Sequence, residues 1–68
     1  MTVHDVKVRE VIGILQRDGW LLVRTTGSHR QYRHPVKPGT VTIAGNLGTD
    51  VPIGTLGSIL KRAGLKKL

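Results

Sequence analysis

The first part of the chain repeats apolar side chains at helical spacing. Between Thr2 and Asp18 the apolar positions fall at i, i+3, i+4 and i+7, which predicts an amphipathic helix. Asp5 is a suitable N-cap, and Gly19 is a suitable left-handed end for the helix. Trp20 then stands where a Schellman ending brings an apolar residue back onto the last turn. The stripe predicted to face the core consists of Val8, Val11, Ile12 and Leu15.

The next residues alternate between β-forming and turn-forming types. Residues 20–26 are rich in β-formers and predict a strand, but apolar side chains occur at both parities, so either face could be the buried one. Gly27-Ser28 predicts a hairpin turn, and a second strand begins near His29. Along 29–33 the alternation points Tyr32 towards the core together with Arg30. The face that remains exposed then carries His29, Gln31 and Arg33.

The second half of the chain predicts one more strand and one more helix. Two prolines and a glycine mark residues 34–39 as a loop. The range Thr40–Ala44 alternates cleanly, which predicts a third strand with Val41 and Ile43 inward. A polar, glycine-rich loop leads to a helix that starts at Gly54-Thr55, with Thr55 as its cap. The apolar stripe of this helix is Leu56, Ile59, Leu60 and Ala63, and Gly64 ends it.

The order helix, three strands, helix predicts the α+β class. Strands joined by short turns form an antiparallel meander, and two amphipathic helices cover one face of it, which gives a two-layer sandwich. The whole chain, residues 1–68, is expected to be one domain. The other face of the sheet is left to solvent, and we call it the open face. His29 is predicted to lie on it.

Composition adds a partner class to this picture. Eleven Lys and Arg residues stand against four Asp and Glu, a formal charge of +7. This balance favours a polyanionic partner, either nucleic acid or an acidic protein. Only Trp20 and Tyr32 are aromatic, too few for a platform that stacks bases. There is no cysteine and no apolar run long enough for a membrane span, so a cytoplasmic location without membrane association is expected.

His29 is the strongest candidate for chemistry. An imidazole titrates near neutral pH, so it can take a proton from a sugar 2′-hydroxyl or give one to a leaving oxygen. The guanidinium groups of Arg24, Arg30 and Arg33 are candidates for holding a phosphate, although Arg30 has the opposite parity to His29. By local sequence alone an ordinary strand histidine remains the alternative. His34, next to a proline, suits a loop role better.

Other motifs carry weaker signals. Metal ligation is not expected, because no histidine pairs with a second ligand at suitable spacing and cysteine is absent. Ser28 adjoins His29 in sequence, so their side chains diverge on a strand; Ser28 suits the turn or a phosphate contact better than nucleophilic attack. The loop at 45–50 lacks the Lys-Ser/Thr ending of a P-loop. Lys61 lies in a basic helix end that is either solvated or in contact with RNA phosphates.

Two ordered blocks resemble the HicA (YcfA-like) family of toxin mRNA interferases. The first runs Asp18-Gly19-Trp20, then Arg24, then Gly27-Ser28-His29 with Tyr32. The second runs Gly54-Thr55-Leu56, Ile59-Leu60-Lys61 and Ala63-Gly64-Leu65, so the resemblance spans nearly the whole chain.

The resemblance implies a fold like that of double-stranded RNA-binding domains. It further implies an endoribonuclease that cleaves mRNA independently of translation, with His29 as its catalytic histidine. We expect the reaction to require no metal. A HicB-type antitoxin is expected to bind it in a hetero-oligomer and cover the active site. Many members carry a basic residue or histidine in the loop after the third strand, where this chain has Asn46. Two alternatives stay open: an RNA-binding module without catalysis, and a basic domain that docks an acidic protein.

Overall fold

Five elements form two layers. The computed structural model describes residues 6–65. Along these residues run α1 (Val8–Arg17), β1 (Leu21–Thr26), β2 (His29–Arg33), β3 (Thr40–Ala44) and α2 (Ile53–Arg62). The strands form one antiparallel sheet in the order β1-β2-β3, and both helices pack against β3. The predicted α+β sandwich of helix, three-stranded sheet and helix is therefore confirmed.

The core lies between the helices and the inner face of the sheet. The predicted stripe of α1 is buried, and so are Val41 and Ile43 of β3. The largest fully buried side chains are Trp20 and Tyr32, 1% and 2% exposed. Burying each aliphatic or aromatic side chain contributes about 1.5–3 kcal/mol, so these few residues carry most of the stability available to a domain of this size.

Both helices end by the predicted Schellman geometry. Gly19 and Gly64 adopt left-handed backbone angles, with φ of 102° and 71°. The residue after each glycine donates its N–H to the carbonyl five positions back, Trp20 at 3.0 Å and Leu65 at 2.8 Å. This ending is encoded locally, because glycine adopts positive φ without the steric cost that other residues meet.

The predicted start of α1 is wrong. The helix begins at Val8, two residues later than a cap at Asp5 would start it. The predicted cap, Asp5, lies outside the described residues, and Lys7 holds the N-cap position. The Lys7 N–H donates to the Glu10 carboxylate at 2.8 Å, the reciprocal half of a capping box. The helix starts late because residues 6 and 7 are extended and bond to the loop after β3.

The glycine-rich loop at 45–52 caps α1. The Val8 N–H donates to the Thr49 carbonyl at 2.9 Å, and the Arg9 N–H donates to the Leu47 carbonyl at 3.1 Å. The first N–H groups of a helix have no partner within the helix, so these two bonds satisfy donors that would otherwise need water or a ligand. The loop is thus a structural connection, in agreement with the absence of a P-loop ending.

The predicted cap of α2 is also wrong. Thr55 lies inside the first turn, because the helix begins at Ile53 with Pro52 at the N-cap. The Pro52 carbonyl accepts the first helical bond, from the Leu56 N–H at 2.8 Å. Proline suits the entry to a helix because its missing N–H would have no partner there.

A β-bulge explains why the pattern of β1 was ambiguous. The predicted strand included Trp20, but the strand starts one residue later because Trp20 completes the Schellman ending. The register slips between Leu22 and Arg24, so Leu22 lies opposite Tyr32 and Arg24 lies opposite Gln31. The two residues therefore face opposite sides of the sheet. Every residue of β1 is exposed, because the helices cover the β3 side.

Candidate functional site

The open face of β2 presents His29 to solvent. His29 and Arg33 are exposed and Gln31 is half-buried, while Tyr32 on the other side is in the core. The strand alternation predicted from the sequence is therefore observed. Side chains two residues apart on a strand point the same way, so His29, Gln31 and Arg33 form one row.

A tight turn sets the position of His29 at the end of this row. Gly27 has a φ of 58°, and Ser28 has a negative φ, because no residue other than glycine has positive φ in the described chain. Positive φ at the first of the two turn residues only matches a type II′ hairpin turn. The turn pairs Thr26 with His29 across the hairpin. The Ser28 carbonyl accepts the N–H of Gly45 at 3.2 Å, which ties the turn to the end of β3. His29 therefore sits on rigid backbone, with Ser28 half-buried beside it.

Arg24 joins the row from the neighbouring strand. It pairs with Gln31, so it lies diagonal to both His29 and Arg33. Diagonal neighbours in an antiparallel sheet are about 7–8 Å apart, within reach of a long side chain. Two guanidinium groups and one imidazole thus share one solvent-exposed surface.

No carboxylate offsets the charge of this surface from within the sheet. The three strands contain Arg24, Arg30 and Arg33 but neither Asp nor Glu. Within residues 6–65, no side-chain hydrogen bond or ion pair engages Arg24, His29 or Arg33. Guanidinium groups without a protein partner are available for phosphate oxygens, which they hold with charge-assisted hydrogen bonds. The surface is chemically suited to an anionic ligand.

Arg30 and Lys61 do not lie on the open face. The Arg30 guanidinium donates to the Gly45 carbonyl at 2.8 Å on the helix side of β2. This bond holds the start of the loop that caps α1. Lys61 is exposed in the last turn of α2, in the helix layer, where it lines a shallow recess with Ser58 and Arg62. Of the six residues predicted for the site, Arg24, His29 and Arg33 share a face, with Ser28 in the adjoining turn.

Asn46 lies near the same end of the sheet as His29. His29 pairs with Ala44, and Asn46 follows two residues later, exposed in the loop. Its carbonyl accepts the Thr49 N–H at 3.0 Å, so its backbone belongs to a turn. The position therefore contributes a neutral amide at the place where a basic side chain would add charge.

His34 has a structural role that the sequence did not reveal. Its Nε2 lies 2.7 Å from the Asp18 carbonyl, and its Nδ1 accepts the N–H groups of Val36 and Lys37 at 3.0 and 3.1 Å. Because Nδ1 accepts, the proton of the neutral ring is on Nε2 and is donated to Asp18. The ring also meets Trp20 edge to face at 5.3 Å. In the sequence, only the neighbouring proline indicates that His34 belongs to a loop.

A polar cluster of Asp18, Trp20, His34 and Lys37 joins three segments. Lys37 Nζ donates to the Asp18 carboxylate at 2.5 Å and to the Ala63 carbonyl at 3.0 Å. Trp20 Nε1 donates to the same carboxylate at 3.1 Å. The hydrogen bond from Lys37 is the main cause that lowers the pKa of Asp18 below its ordinary value of 3.8. The cluster ties the ends of α1 and α2 to the loop between β2 and β3.

Residues 6–65 contain neither a metal cluster nor a membrane-spanning helix. Within residues 6–65, no three His, Asp or Glu side chains converge as metal ligands would. Neither α1 nor α2, the helices of this part of the chain, is long and apolar enough to cross a bilayer.

The fold and the family comparison agree on the class of protein. The α1-β1-β2-β3-α2 order with both helices on one face is the architecture of a double-stranded RNA-binding domain. The sequence model described as HicA toxin of bacterial toxin-antitoxin matches residues 8–65, and the chain belongs to the HicA toxin family. It is therefore a toxin from a toxin–antitoxin pair. A comparison with curated proteins finds no match.

Proposed function

We propose that this toxin is an endoribonuclease that cleaves mRNA, with His29 as its catalytic residue. The observation that carries the proposal is the exposed imidazole of His29 on a rigid hairpin, on the same face as Arg24 and Arg33. Family membership supports it, because Gly27-Ser28-His29 resembles the motif that carries the catalytic histidine of the family.

The proposed reaction is attack by a ribose 2′-hydroxyl on the adjacent phosphorus. The 2′-oxygen loses its proton and forms a bond to phosphorus, the bond from phosphorus to the 5′-oxygen breaks, and the 5′-oxygen takes up a proton. The products are a 2′,3′-cyclic phosphate and a 5′-hydroxyl. His29 acts as the general base at the 2′-hydroxyl or as the general acid at the 5′-oxygen. The two oxygens lie in line on opposite sides of phosphorus, so one imidazole serves only one of them. Water takes up or supplies the proton at the other oxygen.

The two guanidinium groups of the open face bind the scissile phosphate in this proposal. Negative charge builds on the phosphoryl oxygens in the transition state, and fixed cations stabilise it there. Arg24 lies diagonal to His29, and Arg33 lies two residues along the same strand. Ser28 adds a hydroxyl at the turn. The open face supplies imidazole and guanidinium groups but neither carboxylate nor thiolate, so we propose a reaction that needs no bound metal.

Regulation by a HicB-type antitoxin completes the proposal. An acidic antitoxin would cover the open face and block access of RNA to His29, as a hetero-oligomer with the toxin. A domain of formal charge +7 associates rapidly with an acidic protein. Because the substrate is mRNA, the protein acts in the cytoplasm.

The proposal is tested first in cells. Expression of wild-type protein should arrest growth and degrade mRNA, and expression of His29→Ala should do neither at equal protein level. Co-expression of a cognate HicB-type antitoxin should restore growth. Growth arrest by His29→Ala equal to that of wild type would remove His29 from the mechanism.

A second candidate is an RNA-binding module that does not cleave. Two observations favour it: the fold is of the RNA-binding type, and none of the three strands contains an acid that could orient His29. This candidate predicts RNA binding that survives His29→Ala and intact RNA after incubation with wild-type protein. A cleavage assay therefore separates the two candidates directly.

A further inference from the structure

A groove runs along the outer edge of β3, between that strand and α2. Its volume is about 560 Å³, and His29 does not line it. Hydroxyl groups dominate its walls, with one guanidinium at one end and an apolar floor. Its lining includes Thr40, Val41, Thr42, Ser58, Ile59 and Arg62.

The backbone of β3 offers hydrogen-bonding groups to this groove that no other residue of the range 6–65 engages. In an antiparallel pair, residues that exchange hydrogen bonds alternate with residues that do not. The bond from the Gly45 N–H to the Ser28 carbonyl places that pair among the bonded ones. By alternation, the N–H and C=O groups of Thr40, Thr42 and Ala44 point away from β2. β3 is the last strand of the sheet, so these groups face outward.

The two edges of the sheet differ in their ability to accept another strand. The β1 edge is interrupted by the bulge between Leu22 and Arg24, a feature that discourages pairing with a further strand. The register of β3 is regular from Thr40 to Ala44. The β3 edge is therefore the edge of the sheet that can accept another strand.

Charge identifies the chemistry of the incoming strand. Arg62 lines the groove, and Lys61 lies beside it in the adjoining recess with Ser58. Among residues 6–65, no acidic side chain lines either depression. A strand with a carboxylate near the end of α2 would place it against these two cations. Val41 and Ile59 close the floor of the groove and are 0% and 7% exposed, so the side chains of an incoming strand would mainly meet the hydroxyl groups of its walls.

We propose that the groove between β3 and α2 binds an extended, acidic segment of a partner protein as a fourth strand of the sheet. Main-chain hydrogen bonds to Thr40, Thr42 and Ala44 provide affinity, and the pairing with Lys61 and Arg62 sets the direction of the segment. An extended peptide held between an edge strand and a helix is a recurrent mode of recognition. A nucleic acid has no strand backbone to match the outward N–H and C=O groups, so we favour a peptide.

The test uses a capped eight-residue probe peptide of alternating valine and threonine with one glutamate near its end. NMR titration of the labelled full-length chain should shift the amides of Thr40, Thr42 and Ala44 and leave those of β1 unchanged. The same peptide with alternate backbone nitrogens methylated keeps its side chains but loses donors, so its affinity should fall by about tenfold or more.

Two substitutions examine the protein side. Thr42→Pro removes one outward N–H at a position where an edge strand tolerates proline, and it should weaken binding about tenfold. Arg62→Ala should weaken binding about two- to fivefold, the effect of an exposed ion pair. Arg9→Ala, which removes a cation from α1, is the matched control and should leave the peptide affinity unchanged. His29→Ala should also bind the probe normally, which separates this surface from the proposed catalytic one.

Three results would overturn the proposal. The first is no amide shift at about 1 mM peptide, a concentration that detects even weak association. The second is equal affinity for the N-methylated peptide, which would mean that no strand pairing occurs. The third is a short RNA that shifts the groove amides while the peptide does not, which would assign the groove to nucleic acid.

Discussion

The three arginines of the sheet divide into two roles by strand parity. Arg24 and Arg33 lie on the open face with His29, whereas Arg30 points to the helix side and bonds the Gly45 carbonyl at 2.8 Å. From the sequence, all three are candidates for phosphate binding, although the parity of Arg30 is opposite to that of His29. Because of this parity, Arg30 lies on the helix side of the sheet, where its guanidinium group satisfies the Gly45 carbonyl.

Substituting these arginines should separate RNA binding from stability. Arg33→Ala should weaken RNA binding and lower the slope of log affinity against log salt by about 1, because one phosphate contact is lost. Its unfolding free energy should stay within about 0.5 kcal/mol of wild type. Arg30→Ala should instead cost about 1 kcal/mol of unfolding free energy, because the Gly45 carbonyl loses its donor. Salt-dependent RNA titrations and urea denaturation measure the two effects. A lower salt slope for Arg30→Ala without loss of stability would reverse this assignment.

The two histidines near the sheet show what local sequence conceals. His29 and His34 are five residues apart, but His34 makes three hydrogen bonds through its ring and His29 is exposed. The partners of His34 include the carbonyl of Asp18, sixteen residues away. No spacing rule anticipates such a contact. The exposure of His29 was predictable because it follows from the alternation of a short strand.

At the scale of elements, helix ends were easier to predict than helix starts. Each C-terminus is set by a glycine and the residue that follows it, all within one turn of the chain. The N-terminus of α1 depends on the carbonyls of Leu47 and Thr49, about forty residues away. The bulge in β1 has a similar origin, because a change of register depends on the partner strand. Sequence patterns contain the first kind of information and lack the second.

The two Schellman glycines provide a matched pair of substitutions. Gly19→Ala and Gly64→Ala should each cost about 1–2 kcal/mol for left-handed backbone. A Cβ at position 19 would also lie 2.9 Å from His34 Nε2, whereas at position 64 the nearest atom, Lys37 Nζ, is 3.6 Å away. The His34 ring is held by three hydrogen bonds and cannot move without breaking them. Gly19→Ala should therefore have the lower midpoint in urea denaturation. Equal midpoints would mean that the His34 ring moves away from the added Cβ at no cost in stability.

At the scale of the whole molecule, the polar cluster makes stability depend on pH. The pKa of Asp18 is lowered in the folded state, chiefly by the hydrogen bond from Lys37. An acid whose folded pKa is depressed stabilises the fold at pH values above its unfolded pKa, and this contribution is lost as the pH falls through the folded value. The stabilisation is therefore greatest at pH values well above the ordinary value of 3.8 and decreases as the pH falls towards and below it.

The corresponding variant is Asp18→Asn. Its melting temperature should be lower than that of wild type at pH 7, and the difference should narrow as the pH falls below 3.8. Asp50→Asn is a suitable control, because the ion pair of Asp50 with Lys7 is more exposed, with 57% of the Asp50 side chain in solvent against 26% for Asp18. The control should lose less stability at pH 7. A difference for Asp18→Asn that stays constant from pH 7 to pH 2 would contradict the linkage.

The central claim is that this toxin cleaves RNA with the exposed imidazole of His29, which lies on the basic face of the sheet that no helix covers. Its most direct measurement is the cleavage rate of purified wild-type protein and His29→Ala on mRNA, with and without EDTA. Thr26→Ala, an exposed neighbour paired with His29, serves as the folding control. We predict that wild type cleaves equally well in EDTA, that Thr26→Ala retains activity, and that His29→Ala loses at least about a hundredfold, the usual contribution of general acid–base catalysis. Equal rates for wild type and His29→Ala would contradict the account.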